Sequence, residues 1–314
     1  MEKVTKCIID KTKIKIGWIG TGIMGFSMCK HILKNGYSLT VNNRTISKAK
    51  PLEDFGAKVT SDLILLAKES DYLFLMLGYP KDVEEMILGD NGLLKHMKSN
   101  SYIIDHTTSS PELAKKINIE AKKCNVFSYD APVTGGDLGA KEGKLVTLVG
   151  GNNNQFYDYV LPILKSYSKE VSLLGDAGMG QHAKMANQIC IASNINGLCE
   201  CLIYAYKAGL DTKGLINMIS QGAAGSNQIN FYANKIINRD FEAGFYIDHF
   251  LKDIEIAIEE SKNMGLNLTN LKYAKKLYDY MVKEGYGRLG HHGLILALEK
   301  INNVNIENKE DNKL

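Results

Sequence analysis

Ile14-Lys15-Ile16-Gly17-Trp18-Ile19-Gly20-Thr21-Gly22-Ile23-Met24-Gly25 reads as a short apolar strand, then a glycine-spaced turn that opens a helical pattern. The flanking pattern matters as much as the glycines. A GxGxxG in a plain surface turn carries no information, but between a strand and a helix it has a physical meaning. The first glycine makes the tight turn. The second lets backbone approach a pyrophosphate, and the third lets helix and strand pack closely, with the helix N-terminus facing the phosphates. The stretch predicts dinucleotide binding, with Gly20, Thr21, Gly22, Ile23, Met24 and Gly25 at the cofactor.

Around it, short apolar runs alternate with helical patterns. Strands are predicted at 14–19, 39–42, 72–77, 102–105, 126–130, 145–149 and 171–174, and Ser109 or Ser110 is placed to cap a helix that begins near Pro111. After Gly180 the strand signal stops. A long, mostly apolar helix is expected over 183–210, followed by helices near 246–265 and 271–285. The predicted fold class is α/β: an N-terminal doubly wound domain of the Rossmann type plus an all-α C-terminal domain, joined by the long helix. The expected division is an N-terminal extension at 1–12, a dinucleotide-binding domain at 13–177, an all-helical substrate and oligomerisation domain at 178–301, and a disordered tail at 302–314. Glycines 175, 178 and 180 suggest a hinge between the domains.

Composition narrows the function. With 38 basic against 35 acidic residues, the net charge of +3 is too small to make nucleic acid or an anionic membrane the expected partner. No run reaches the roughly 18 uninterrupted apolar residues of a membrane span. The six cysteines form no CxxC pair, which suggests reduced thiols and a cytoplasmic setting. No HExxH or HxxxH spacing occurs among the seven histidines, so no metal is expected.

Cofactor choice is read at the end of the second strand, where an NAD site usually places a carboxylate and an NADP site an arginine. Here the chain reads Val41-Asn42-Asn43-Arg44-Thr45. No acid fills the slot, and Arg44 with Thr45 can grip a 2′-phosphate; Asn43 is also expected at the cofactor. NADP is therefore the expected cofactor, with NAD possible.

Two further stretches carry chemistry. Asp130-Ala131-Pro132-Val133-Thr134-Gly135-Gly136-Asp137 ends a predicted strand, and Thr134, Gly135 and Gly136 offer a hydroxyl and backbone N–H groups to an anion. Gly178-Met179-Gly180-Gln181-His182-Ala183-Lys184 opens the long helix, with Asn187 and Gln188 three and four residues on, hence on the face of Lys184. Carbonyl reduction brings hydride to carbon while charge builds on oxygen. A lysine ammonium can donate the proton, and in reverse a neutral amine, its pKa lowered by burial, is the base.

Together these motifs resemble the β-hydroxyacid dehydrogenase family, over about residues 13–301. The resemblance implies Lys184 as the catalytic residue, with Thr134, Gly135, Gly136, Asn187 and Gln188 binding a small-molecule carboxylate substrate. It implies Leu77, Gly78 and Thr108 on the nicotinamide side of the cofactor, and Lys252, in the segment from Phe245 to Asp253, as a cofactor contact. It also implies a homodimer or homotetramer. The Asn43-Arg44-Thr45 triplet looks like the NADP-preferring branch, which reduces aldehyde acids. Thr134 replaces a commoner serine, His249 stands where an apolar residue is usual, and Arg288-Leu289-Gly290-His291-His292 departs from the common pattern.

The expected activity is NADP(H)-dependent hydride transfer to a small aldehyde acid of the succinic semialdehyde, glyoxylate or tartronate semialdehyde type. The alternative is an NAD-dependent 3-hydroxyisobutyrate dehydrogenase, against which Arg44 argues. A non-catalytic NADP-binding scaffold is a third reading, and retention of Lys184 argues against it.

Overall fold

A computed structural model describes residues 11–152 and 156–306. Residues 1–10, which hold most of the expected extension, and 307–314, most of the expected tail, lie outside the described residues. The chain divides into two compact units, residues 1–184 and 185–314.

The first unit is built on one sheet. Strands β1 (Lys15–Ile19), β2 (Ser38–Asn42), β3 (Lys58–Val59), β4 (Tyr72–Leu75), β5 (Tyr102–Asp105) and β6 (Phe127–Asp130) lie parallel in the order β3-β2-β1-β4-β5-β6. Beyond β6, β8 (Leu145–Gly151) runs antiparallel and carries β7 (Val133–Thr134) antiparallel and β9 (Ser168–Leu173) parallel. Strand residues alternate between two cores. Ile16, Trp18, Tyr72, Phe74, Tyr102 and Ile104 bury on one face, with Met28, Cys29 and Ile32 of the helix Ile23–Lys34. Ile19, Leu73, Leu75 and Ile103 bury on the other, against Leu66, Val83, Ile87, Leu113 and Ile117 of three helices. A period of two that feeds two apolar layers is what a doubly wound sheet requires. Chain order reverses between β1 and β4, so the C-terminal ends of these strands form the switch point at which such sheets bind ligands.

The second unit is helical. Its core gathers Met185, Ala192, Ile195, Leu198, Cys199 and Leu202 of the long helix with buried residues of the helices Thr212–Ile219, Asn227–Ile237, Ile247–Asn263, Thr269–Lys283 and Ile295–Asn302. The long helix itself spans Met179–Lys207, so it opens in the first unit and continues into the second. By length and hydropathy alone this helix could cross a membrane, a possibility that the search for uninterrupted apolar runs passes over. It carries buried Gln181, Lys184, Gln188 and Asn196, and apolar residues along it belong to the second unit's core.

Two expectations, on the tail and on the hinge, need correction, and a third, the helix cap at Ser109 or Ser110, is narrowed to one residue. The tail does not begin at 302: Asn302 closes a helix, Ile306 is buried, and its N–H donates to Glu299 Oε1 at 3.0 Å. That carboxylate also takes a bidentate contact from Arg239, at 2.6 and 3.1 Å. The cap of the helix Pro111–Lys123 is Ser110, whose hydroxyl accepts from Leu113 N–H. The glycines read as a hinge form a packed socket instead. A Cβ on Gly180 would meet the carbonyl oxygens of Asp130 and Leu148, each at 2.6 Å.

Candidate active site

At the switch point, Gly20 has φ +97°, and a Cβ there would run into the carbonyl of Met76 at the end of β4. A Cβ on Gly25 would collide with the carbonyl of Gly20. Both glycines are thus explained by the protein's own packing. Gly22 is not, since nothing lies within 4 Å of the place its Cβ would take. Its bare backbone faces open space at the start of a 12-residue helix with no acid in its first turn. Beside it, the Thr21 hydroxyl is buried with no hydrogen-bond partner among the described residues. Open space, an anion-seeking helix end and an orphaned donor fit a pyrophosphate. Trp18, the only tryptophan in the chain, donates from its indole N–H to Gly20 O at 2.9 Å and so lies directly beneath the loop.

Asn43 shapes the neighbouring loop. Its Oδ1 accepts from Thr21 N–H at 3.0 Å and its Nδ2 donates to Thr45 O at 2.9 Å. With both ends of the amide bonded to backbone, Asn43 fixes the shape of the loop. Arg44 is exposed beside it, with no hydrogen bond or ion pair among the described residues.

The far side of the switch point is held from behind. Leu77 N–H donates to Thr107 Oγ1 at 2.9 Å, which ties the loop after β4 to the loop after β5. His106 anchors the latter. Its Nδ1 lies 2.6 Å from Ala131 O, an acceptor, so Nδ1 carries the proton and Nε2 accepts from Tyr167 OH at 2.8 Å. Burial pushes this imidazole down to about 4, with the Ala131 carbonyl pulling weakly the other way. It is a neutral structural histidine stacked against Trp18 and Phe74.

Asp130, at the end of β6, seats the helix that carries Lys184. Its Oδ1 accepts from Gly178 N–H and its Oδ2 from Gln181 N–H, both at 2.8 Å. These are among the N–H groups that a helix start leaves unsatisfied. Burial raises the carboxyl above its ordinary value, while the N–H groups pull it back. Lys184 then lies in the second turn, 7% exposed. Four residues beyond Asp130, Thr134 ends β7. Gly135 has φ +127° and Gly136 has nothing within 4 Å of its Cβ position, so this loop presents open backbone.

In the second unit, Asn187, Gln188 and Lys252 are joined by a residue that sequence reasoning missed. Asp253, 1% exposed, accepts from Gln188 Nε2 at 2.6 Å, and Lys252 Nζ lies 3.0 Å from its Oδ1. Gln188 Oε1 in turn accepts from Asn187 Nδ2 at 2.7 Å. A carboxylate only accepts, so it turns the Gln188 NH₂ toward itself. That orientation carries through to Asn187, whose Oδ1 is the amide atom without a partner among the described residues. Gln188, expected to touch substrate, thus also orients Asn187. Asp253 was legible as an acid within the apolar stripe Phe250, Ile254, Ala257 and Ile258.

A dinucleotide cradle at a switch point, with a buried lysine in the same unit, defines an NAD(P)-dependent oxidoreductase acting on CH–OH groups. Residues 15–175 match the family profile described as the NAD binding domain of 6-phosphogluconate dehydrogenase. Residues 178–298 match the NAD-binding profile of NADP-dependent 3-hydroxyisobutyrate dehydrogenase. The chain is 47% identical over 308 residues to "Probable 3-hydroxyisobutyrate dehydrogenase-like 1, mitochondrial" of Arabidopsis thaliana, covering 98% of this chain and 92% of that one. It is 34% identical to the 2-hydroxy-3-oxopropionate reductase of Escherichia coli, over 92% of this chain and 99% of the relative. A crystal structure of 3-hydroxyisobutyrate dehydrogenase from Salmonella typhimurium shares the fold, with a TM-score of 0.83 at 21% identity, covering 90% of this chain and 99% of that one. The chain belongs to the β-hydroxyacid dehydrogenase family.

Proposed function

We propose that this chain is an NADPH-dependent reductase of small aldehyde acids, with Lys184 as proton donor. The observation that carries the cofactor choice is the end of β2, where no carboxylate follows Asn42 and Arg44 stands exposed and uncommitted among the described residues. A carboxylate there would repel a 2′-phosphate, whereas a guanidinium can bind it bidentately. When bound, the reduced nicotinamide supplies hydride to the carbonyl carbon. The roles assigned to this chain are to hold the phosphates at Gly20–Gly25, to bind the substrate carboxylate at Thr134–Gly136, and to pass a proton from Lys184 Nζ to the carbonyl oxygen. The family resemblance assigns Lys252 to the cofactor and Asn187 to the substrate carboxylate. Similarity to the Escherichia coli 2-hydroxy-3-oxopropionate reductase supports an aldehyde acid. The plant relative favours 3-hydroxyisobutyrate as a second reading. A panel of glyoxylate, succinic semialdehyde, tartronate semialdehyde and 3-hydroxyisobutyrate, each with NADPH or NADP⁺ and with NADH or NAD⁺, separates the two.

Arg44→Ala should raise KM for NADPH by ~10- to 100-fold and that for NADH little, since a charge-assisted contact is worth ~1.5–3 kcal/mol. Salt screens an exposed contact, so the lower figure is expected in physiological buffer. Equal changes for both cofactors would remove the NADP assignment.

We also propose a homodimer or homotetramer. Tyr204, Met218 and Phe231 of the second unit are 75%, 70% and 53% exposed, large apolar side chains suited to cover by another copy. Size-exclusion chromatography with light scattering at micromolar concentration should give at least twice the 34.8 kDa chain mass, and a clean monomer would count against it.

A further inference from the structure

We propose that Gln181 is a positioning residue that sets the hydride-bearing side of the site against the proton donor, by locking the segment around Thr108 to the helix that carries Lys184. The inference rests on the roles proposed above for Thr108 and Lys184. Its observations do not. Gln181 is 0% exposed, in the first turn of the long helix. Its Oε1 accepts from Ser109 N–H at 2.9 Å, and its Nε2 donates to Thr107 O at 2.8 Å. One amide thus pairs with both backbone groups that flank residue 108, as a neighbouring strand would, across more than 70 residues of sequence.

The clamp extends at both ends. Thr107 Oγ1 takes the N–H of Leu77, and the backbone N–H of Gln181 is held by Asp130 Oδ2. A continuous chain therefore runs from Leu77 through Thr107 and Gln181 to Asp130, and Lys184 lies one helical turn beyond Gln181. Ser109 N–H needs an acceptor and Thr107 C=O needs a donor. An amide supplies one of each, a carboxylate only acceptors, and leucine neither. A helix rotated or slid at this point would move Lys184 relative to Leu77 and Thr108, and misplacement of about 1 Å can cost 10²-fold in rate.

Three variants test the proposal. Gln181→Leu should lower turnover by ~10- to 100-fold. The dissociation constant for NADPH should stay within about threefold, because the phosphates bind elsewhere. That constant is read by energy transfer from Trp18. Gln181→Leu should also speed hydrogen exchange at the Ser109 amide, whereas Gln181→Glu, which still accepts there, should keep it protected. The ionised carboxylate of Gln181→Glu cannot donate to Thr107 O, but its protonated form can. Gln181→Glu should therefore be impaired at high pH and recover relative to wild type as pH falls. Folded Gln181→Leu with turnover within about twofold of wild type would overturn the proposal, as would a Gln181→Glu pH profile that tracks wild type. A dissociation constant rising in step with the loss of turnover would also overturn it, by assigning Gln181 to cofactor binding. Lys184→Ala is the control. If it keeps its turnover while exchange at Ser109 responds as described, the clamp stands and the catalytic reading of Lys184 fails.

Discussion

Lys184→Ala is expected to lower turnover by ~10²–10⁴-fold, the usual contribution of a positioned acid or base, while NADPH affinity changes little. The two effects separate because the groups lie on different elements. The phosphate cradle is the loop between β1 and the helix Ile23–Lys34, whereas Lys184 lies in the second turn of a helix seated by Asp130. A seat built from a buried carboxylate and a glycine with no room for a Cβ allows the helix start few alternative positions. Lys184→Arg should not restore turnover, because a guanidinium does not release its proton near neutral pH. Steady-state rates beside energy transfer from Trp18 give both quantities on one sample. Near-normal turnover in a folded Lys184→Ala would show that the proton comes from elsewhere.

What the sequence reveals and what it hides follow from the range of the interactions. The glycine fingerprint is local: each glycine answers to neighbours within a strand, a turn and a helix, so its spacing is readable. The seven expected strands are all present, since each carries an apolar run. The two that escaped, Lys58–Val59 and Val133–Thr134, are two residues long and too short to show a period. The last strand opens at Ser168 rather than 171, because Ser168-Lys169-Glu170 is polar while still pairing with β8. The positioning residues are of another kind. Asp130, Gln181 and Asp253 have partners 51, 72 and 65 residues away, and no local pattern names those partners. Asp253 nevertheless leaves a trace, an acid within the apolar stripe Phe250, Ile254, Ala257 and Ile258. Gln181 was thus visible as a residue but not as an anomaly, and to Asn43 and Gln188, both visible, geometry adds an orienting role.

Lowering the pH from about 7.5 to about 5 is expected to destabilise the second unit more than the first. His291 is buried and pushed down to about 3, by burial first and then by His292. Its Nδ1 has no partner among the described residues, so protonating it would bury an unpaired N–H. The sign follows from linkage. Above about pH 6.5 this histidine is neutral both folded and unfolded, and it contributes nothing to pH dependence. As pH falls through that value the unfolded chain takes a proton that the folded chain refuses, so stability is lost until the folded value is reached. At pH 5 that amounts to about 2 kcal/mol from His291, a large share of the ~5–15 kcal/mol typical of a domain. His292 and His249, both lowered mainly by burial, act in the same direction and the same unit. In the first unit His106, at about 4, costs about 2 kcal/mol by the same reasoning. Asp130 there works the other way. Its raised carboxyl takes a proton before the unfolded chain does, which adds stability as pH falls. The units therefore need separate probes. Trp18 reports the first unit, and far-UV circular dichroism is weighted toward the helical second. Urea unfolding at the two pH values should move the dichroism transition further than the fluorescence transition, and His291→Phe should flatten the former alone. Equal shifts in both, or none in the dichroism, would mean that His291 titrates in the folded protein much as it does in the unfolded chain.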